Sequence, residues 1–321
     1  MTTISVVIPT YNRAALVSDA IRSALKQTSV PDEIVVVDDG GKDNTAEVVG
    51  AFPAPVRYVR RENGGLSRAR NTGIEAATGS WVAFLDDDDA YEPEKIASTR
   101  EVIARFPHAQ VIATDATLVS PSGRTQGMFE VRGRSAAPGG EETSDPFGWA
   151  LASCFFAQSM VVRRDVLAEV GGFTPDLFYE DFDIGTRLAL QHRWVIDGRR
   201  LVRVIRREDG GANLSAEWSQ KPLRSYGALI VIYERLVSRL GVGHPHYAVC
   251  QRRLKDYTFE LGCAHLLNGD SRSAGAAFER SLALDRSLRN RARIGAARLL
   301  GNPWLKRRRK RQLARMAQAR G

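Results

Sequence analysis

Short, almost wholly apolar runs recur along the first part of the chain, and most of them stop at a polar or acidic cluster. Ile4-Ser5-Val6-Val7-Ile8 leads into Pro9-Thr10-Tyr11-Asn12-Arg13, Ile34 to Val37 into Asp38-Asp39-Gly40-Gly41, and Trp81 to Leu85 into Asp86-Asp87-Asp88-Asp89; Val56 to Val59 is a further run. Between them the spacing turns helical. Leu16, Ala20, Ile21, Ala24 and Leu25 fall on one helical face, Leu66 to Ala77 reads as a second helix, and Pro93 opens a third from a first-turn position where its missing N–H costs nothing. Strands that are apolar throughout are covered on both faces, as parallel strands joined by crossover helices are. The pattern predicts an α/β fold with a doubly wound, mostly parallel sheet and helices on both faces. Ligands of such sheets lie beyond the carboxyl ends of the strands, which is where the polar clusters stand.

The 321 residues carry 46 basic and 37 acidic side chains, a formal charge of +9, and 43% of them are hydrophobic. That balance excludes collagen-like, mucin-like and wholly disordered chains, and the length suits two units with buried cores better than one. The excess charge is local: from Arg291 to Gly321 there are eleven Lys or Arg and no Asp or Glu, so the remainder is near neutral. A basic tail is not a basic face, and nothing else offers a stacking platform or a base-reading element, so no specific nucleic-acid partner is expected. Cys154, Cys250 and Cys263 lack the spacing of a disulfide framework or a zinc site. With no leader-like opening and no apolar stretch approaching ~20 residues, the expectation is a cytoplasmic protein without a membrane span.

Four successive carboxylates at the mouth of a sheet raise each other's pKa unless a cation neutralises them. Mn²⁺ or Mg²⁺ takes one or two protein carboxylates and fills its other positions with water and phosphate oxygens. A metal-diphosphate site is therefore one reading of Asp86 to Asp89, and a solvated acidic turn is the other. Asn63-Gly64-Gly65 weighs towards the first, because its glycines let the backbone approach a ligand and a helix carrying Arg68 and Arg70 follows.

In order, IPTYNR, VVVDDGGKDNT, ENGGLSRARNTG, FLDDDD, VGGFTPDL and YEDFDIGTRL resemble the motifs of the family 2 glycosyltransferases, inverting enzymes of the GT-A fold, from position 4 to about 190. The resemblance implies a Rossmann-like GT-A core that moves a sugar from a UDP-, GDP- or dTDP-linked donor to a hydroxyl of a sugar or lipid-linked acceptor. It implies Mn²⁺ or Mg²⁺ as cofactor and a role in polysaccharide, glycolipid or related glycoconjugate synthesis. It puts Pro9, Thr10 and Tyr11 around the base, with Arg13 at the same nucleotide site, Asp39 on the base edge and Arg70 beside the nucleotide. Asp86 and Asp87 fall near the ribose and metal and Asp88 becomes the direct metal ligand, the choice within Asp86 to Asp89 staying open. Asp181 of the Glu180-Asp181 pair corresponds to the catalytic base. An acceptor hydroxyl must lose its proton as it attacks the anomeric carbon opposite the departing diphosphate, which one carboxylate can serve. The competing reading of Glu180-Asp181 is plain N-terminal helix charge.

One departure is visible. Where family members carry an arginine and then a histidine, this chain reads Arg206-Arg207-Glu208-Asp209, so Glu208 or Asp209 replaces the histidine, or an arginine closes on the diphosphate. His192 is read as a helix-end cation. Ser120 to Trp149, rich in Gly, Pro and Ser, reads as a loop or flap. Trp149, Tyr179 and Glu180 are acceptor-site candidates, as are Phe155 and Phe156, whose other reading is ordinary core.

The expected division is a catalytic domain over 1–215, a helical region over 216–301 and a basic tail over 302–321. Leu261-Gly262, Ala274, Phe278 and Ser281 resemble one tetratricopeptide hairpin, which packs on the catalytic domain or on a second subunit of a homo-oligomer. The tail, Pro303-Trp304-Leu305 followed by six cations, either adheres to an anionic membrane surface or is solvated. Three other functions compete. A sugar nucleotidyltransferase lacks its Gly-rich triphosphate loop here, a haloacid-dehalogenase-like phosphatase leaves IPTYNR unexplained, and a non-catalytic scaffold has no need of two acidic clusters.

Overall fold

The computed structural model describes residues 2–152, 155–206 and 221–318, and the chain divides into two compact units, Met1–Asp209 and Gly210–Gly321. In the first, β1 (Ile4–Thr10) is buried along its whole length. β2 (Glu33–Asp38) and, outside it, β3 (Val56–Arg60) lie parallel on one side, and β4 (Trp81–Phe84) lies parallel on the other. Successive side chains of a strand point to opposite faces, so a strand buried at every residue needs cover on both. α1 (Ala14–Leu25), α2 (Thr45–Gly50) and α3 (Leu66–Ala76) are the crossovers. Val17, Ala20, Ile21 and Ala24 make the buried stripe of α1, and Ala69 of α3 packs on Val35 and Val37.

The sheet continues as β3-β2-β1-β4-β9-β6-β10-β5, through β5 (Ala90–Tyr91), β6 (Val111–Val119), β9 (Met160–Arg163) and β10 (Trp194–Ile205). β7 (Thr125–Gly127) adds to β6 and β8 (Glu141–Glu142) to β10. This half is mixed: β9 runs antiparallel to both β4 and β6, while β6 and β10 are parallel. An antiparallel strand needs no crossover helix, so the alternation of strand and helix in the sequence holds no trace of β9.

Two local expectations change. α4 (Lys95–Arg105) begins after Pro93, whose carbonyl accepts from the Thr28 N–H at 2.9 Å, so the proline precedes the helix rather than opening it. The segment from Ser120 to Trp149 is no plain loop: it holds β7, α5 (Met128–Val131), β8 and α6 (Pro146–Leu151), elements too short to leave a period in the sequence. α7 (Arg164–Glu169) and α8 (Glu180–Ala189) complete this unit, and α8 packs against α6.

The second unit is α9 (Pro222–Leu240), α10 (Tyr247–Leu267), α11 (Ser271–Leu284) and α12 (Leu288–Gln318). α10 and α11 pack closely because position 262 is glycine: a Cβ there would meet the Phe278 ring at 2.5 Å. α12 bends at Gly301, whose φ of +57° suits a residue without a Cβ, and Pro303 follows. Beyond the bend Leu305 is buried with Phe259, Cys263, Phe278, Ile294 and Ala297. The stretch expected as a basic tail, membrane-adhering or solvated, is thus helical to Gln318, and its Leu305 belongs to this core. Leu305→Ala is expected to cost about 2–5 kcal/mol and to lower the melting temperature; an unchanged thermal transition would remove Leu305 from the core. Among the described residues no helix is long and apolar enough to cross a membrane.

Candidate active site

The ends of β2, β1 and β4 meet through Thr10. Its carbonyl accepts the Asp39 N–H at 2.9 Å, and its hydroxyl donates to Asp87 Oδ2 at 2.8 Å. The Asp38-Asp39 and Asp86–Asp89 clusters therefore share one edge of the sheet, on either side of β1. Arg13, from the turn into α1, donates to Asp87 at 2.9 Å and Asp88 at 3.2 Å. Pro9 is buried in β1 beside Val37, whereas the Tyr11 ring is 46% exposed at the mouth.

The aspartate run is sorted by its surroundings. Asp87 is buried against Thr10 and Arg13, and burial pushes its carboxyl up to about 6 although both partners pull the other way. Asp89 is buried too, accepting from Gln158 Nε2 at 2.5 Å and the Ile205 N–H at 2.9 Å. Burial and the charges of Asp86 and Asp88 raise its pKa. Asp86 and Asp88 keep 24% and 19% of their side-chain surface open, which makes them the two carboxylates of the run able to reach a ligand. Asp39 accepts from the Gly64 N–H at 3.1 Å, the Gly65 N–H at 2.7 Å and Arg61, so it orders the glycine turn ahead of α3.

Arg70 lies inside the protein, 1% exposed. Its two terminal nitrogens donate to Asp86 at 2.6 Å and to Glu180 at 2.9 Å, and its guanidinium sits 5.1 Å from the centre of the Phe173 ring. It joins the end of β4 to the start of α8. α3 also moors the loop before α8: Asn71 exchanges two hydrogen bonds of 2.8 Å with the Phe173 backbone, and Arg68 binds Asp176 through both carboxylate oxygens at 2.7 and 2.8 Å. Tyr179, which caps α8, has a left-handed φ of +68°, a costly conformation for a non-glycine residue and one that such sites tend to hold.

Asp181 stands in the first turn of α8, half-buried. Burial of its carboxyl, then the negative charges of Glu180 and Asp86, push it up to about 8 against the opposing pull of Arg70. Asp183, by contrast, is taken up by Thr174, from the segment before α8, at 2.7 Å and by Arg187, one turn on in the helix, at 2.9 Å.

The donor set at the mouth is carboxylate oxygen throughout, which fits a hard divalent cation. Among the described residues no three His, Cys, Asp or Glu side chains converge into a closed cage. An ion here would draw one or two carboxylates from the protein and its other ligands from phosphate and water. Glu208 and Asp209 lie outside the described residues, as does Arg207.

Trp149 lies in α6, buried, with Phe129 edge-on at 5.0 Å, Phe155 stacked at 6.2 Å and the Arg134 guanidinium 5.3 Å from its ring centre. It is core here, as is Phe155, whereas Tyr179 and Glu180 adjoin Asp181. His192 is buried, and burial holds its pKa below the usual value, which works against its expected part as a helix-end cation. Arg61 and Gln158, which hold Asp39 and Asp89, were not among the expected site residues. Arg60-Arg61 beside a paired acidic strand end is a signal that could have found the first; nothing local marks the second.

A family model described as glycosyl transferase family 2 matches residues 5–170. The chain belongs to this family. The family 2 match ends before α8, so Glu180 and Asp181 lie outside it. Among curated relatives, an uncharacterized glycosyltransferase of Haemophilus influenzae is 37% identical over 110 residues, 34% of this chain and 37% of that protein. The succinoglycan biosynthesis protein ExoO of Rhizobium meliloti is 41% identical over 130 residues, 39% of this chain and 36% of that protein. The chain thus spans well under half the length of such relatives. Among solved structures, residues 1–349 of S. aureus TarS in complex with UDP-GlcNAc superpose with a TM-score of 0.62 at 21% identity, covering 90% of this chain and 78% of that one. The mannosyltransferase PcManGT of Pyrobaculum calidifontis, in complex with GDP-Man and Mn²⁺, gives 0.55 at 20% identity over 94% of this chain and 81% of that one. At these identities the likeness shows the fold, a GT-A core with a helical extension.

Proposed function

We propose that the sheet unit transfers a glycosyl group with inversion from a nucleoside diphosphate donor to a hydroxyl acceptor, in the synthesis of a polysaccharide, glycolipid or related glycoconjugate. One observation carries this reading: Arg70 holds Asp86 from the donor-side strand end and Glu180 beside Asp181, so the two acidic clusters share a single buried cation. Tyr11 offers an exposed ring to the base. In the displacement, the acceptor oxygen bonds to the anomeric carbon while the bond from that carbon to the diphosphate oxygen breaks. The acceptor proton passes to the Asp181 carboxylate, and Tyr179 and Glu180 border the acceptor. Held by Asp88 and Asp86, Mn²⁺ or Mg²⁺ would offset the charge on the departing diphosphate. The relative named for succinoglycan biosynthesis supports a polysaccharide product, and the TarS and PcManGT complexes support a nucleotide-linked donor. The free, buried Cys250 and Cys263 accord with a reducing, cytoplasmic setting.

The deciding assay follows nucleoside diphosphate release from UDP-, GDP- and dTDP-sugars with and without chelator. Release that depends on acceptor and on the ion is expected; pyrophosphate release would mean a nucleotidyltransferase, and no release a scaffold. Asp88→Ala is expected to abolish the Mn²⁺-dependent rise in melting temperature that nucleoside diphosphate produces. An undiminished rise would take Asp88 out of the ion site.

A further inference from the structure

We propose that the cationic stretch of α12 docks the protein on anionic phospholipid headgroups. The stretch is fastened to its own unit. Leu305 is buried, and Arg308 pairs with Glu260 while its guanidinium lies 5.3 Å from the centre of the Phe259 ring. With those two side chains turned inward, Lys306, Arg307, Lys310 and Arg311 are exposed. Among the described residues, none of the four has a carboxylate partner within ion-pair distance, although the same unit pairs Arg293 with Asp256 at 2.9 Å and Lys255 with Asp285 at 3.1 Å. Like charges crowded on one helix repel, and an anionic surface relieves that repulsion.

Two further features favour lipid. Lys306, Arg309 and Lys310 line one shallow concavity with Leu267 and Asn268, a place where a headgroup phosphate meets several cations. Leu299 and Leu300, 87% and 55% exposed, stand immediately before the Gly301 bend that leads into the stretch. Exposed leucines beside a cationic helix gain from the boundary between headgroups and acyl chains, and gain nothing from a nucleic-acid backbone. The cations supply attraction that falls with salt, and the leucines supply attraction that does not.

The full chain is to be sedimented with vesicles of phosphatidylcholine alone and of phosphatidylcholine mixed with phosphatidylglycerol. Retention on the mixed vesicles only, weakening with salt, is expected. Each cation near an anionic surface is worth roughly fivefold in partitioning, so K306Q/K310Q should bind roughly 30-fold more weakly, and L299S/L300S should bind more weakly at unchanged charge. These side chains are exposed, so circular dichroism of the variants should match the parent. No retention on mixed vesicles, equal retention on neutral ones, or undiminished binding of K306Q/K310Q would overturn the proposal. So would release by inorganic phosphate but not by chloride of equal ionic strength, which marks a free-phosphate site, or capture of a duplex oligonucleotide by a chain that ignores anionic vesicles. No substrate enters the measurement, so its outcome is independent of the transferase reading.

Discussion

Asp181→Asn is expected to leave donor binding intact and to lower kcat by about 10²–10⁴-fold, the range a positioned general base supplies. The amide keeps the size of the carboxylate and cannot accept the acceptor's proton. The parent enzyme should carry a pH signature of the same residue. A base works only when ionised, and Asp181 is held up to about 8 by burial and by the charges of Glu180 and Asp86. The kcat/KM of the parent should therefore rise with pH and level off above about 8. Stability runs the other way. Below that value the native chain keeps a proton that the unfolded chain has released, so this residue's contribution to stability falls as pH rises from the ordinary aspartate value towards about 8. Asp181→Asn should remove that slope, a readout that needs no substrate. Parent-like turnover in the variant would place the base elsewhere.

Arg70→Met should be the most damaging single change to the sheet unit. The methionine fills much of the volume but leaves Asp86 and Glu180 facing each other without their shared cation. Removing one partner of a buried ion pair costs about 3–5 kcal/mol, and the partial exposure of Asp86 and Glu180 sets the lower end. For a unit of this size that is roughly 6–12 °C in melting temperature. The variant should also move the acid limb of kcat/KM to higher pH, because the guanidinium is what opposes the rise of the Asp181 pKa. Adding Glu180→Gln should return part of the stability, since one uncompensated charge goes with it. A stable Arg70→Met variant with an unmoved pH profile would show that the two acidic clusters are not coupled through this residue.

The donor half of the fold could be read from the chain because its information is local. Ile4 to Ile8, Ile34 to Val37 and Trp81 to Leu85 are apolar at every position, helical spacing fills the gaps between them, and connection rules leave few topologies for such a pattern. The strand ends follow from the same pattern, whereas the acid at the head of α8 was marked by the resemblance to the family 2 motifs. The elements between Ser120 and Trp149 are too short to repeat a helical period or to stand out as strands, and β9, antiparallel to both neighbours and without a crossover helix, does not join the strand–helix alternation.

The parallel half of the sheet, its crossover helices and the placing of Asp39 and Asp86–Asp89 at the carboxyl ends of its strands were thus legible in residue pattern alone, whereas the order of the strands was not. Which of four identical aspartates face a ligand was decided by Thr10, Arg13, Gln158 and the Ile205 backbone, partners that lie tens of residues away. The same holds for Arg70, one of two arginines on a helix that look alike in sequence, and for Leu305, whose basic neighbours suggested a tail, membrane-adhering or solvated, but which packs with Phe259 and Phe278. Periodicity records which side of an element is covered. It carries no record of what covers it, because pairing, desolvation and the pKa shifts that follow arise only when distant segments are brought into contact.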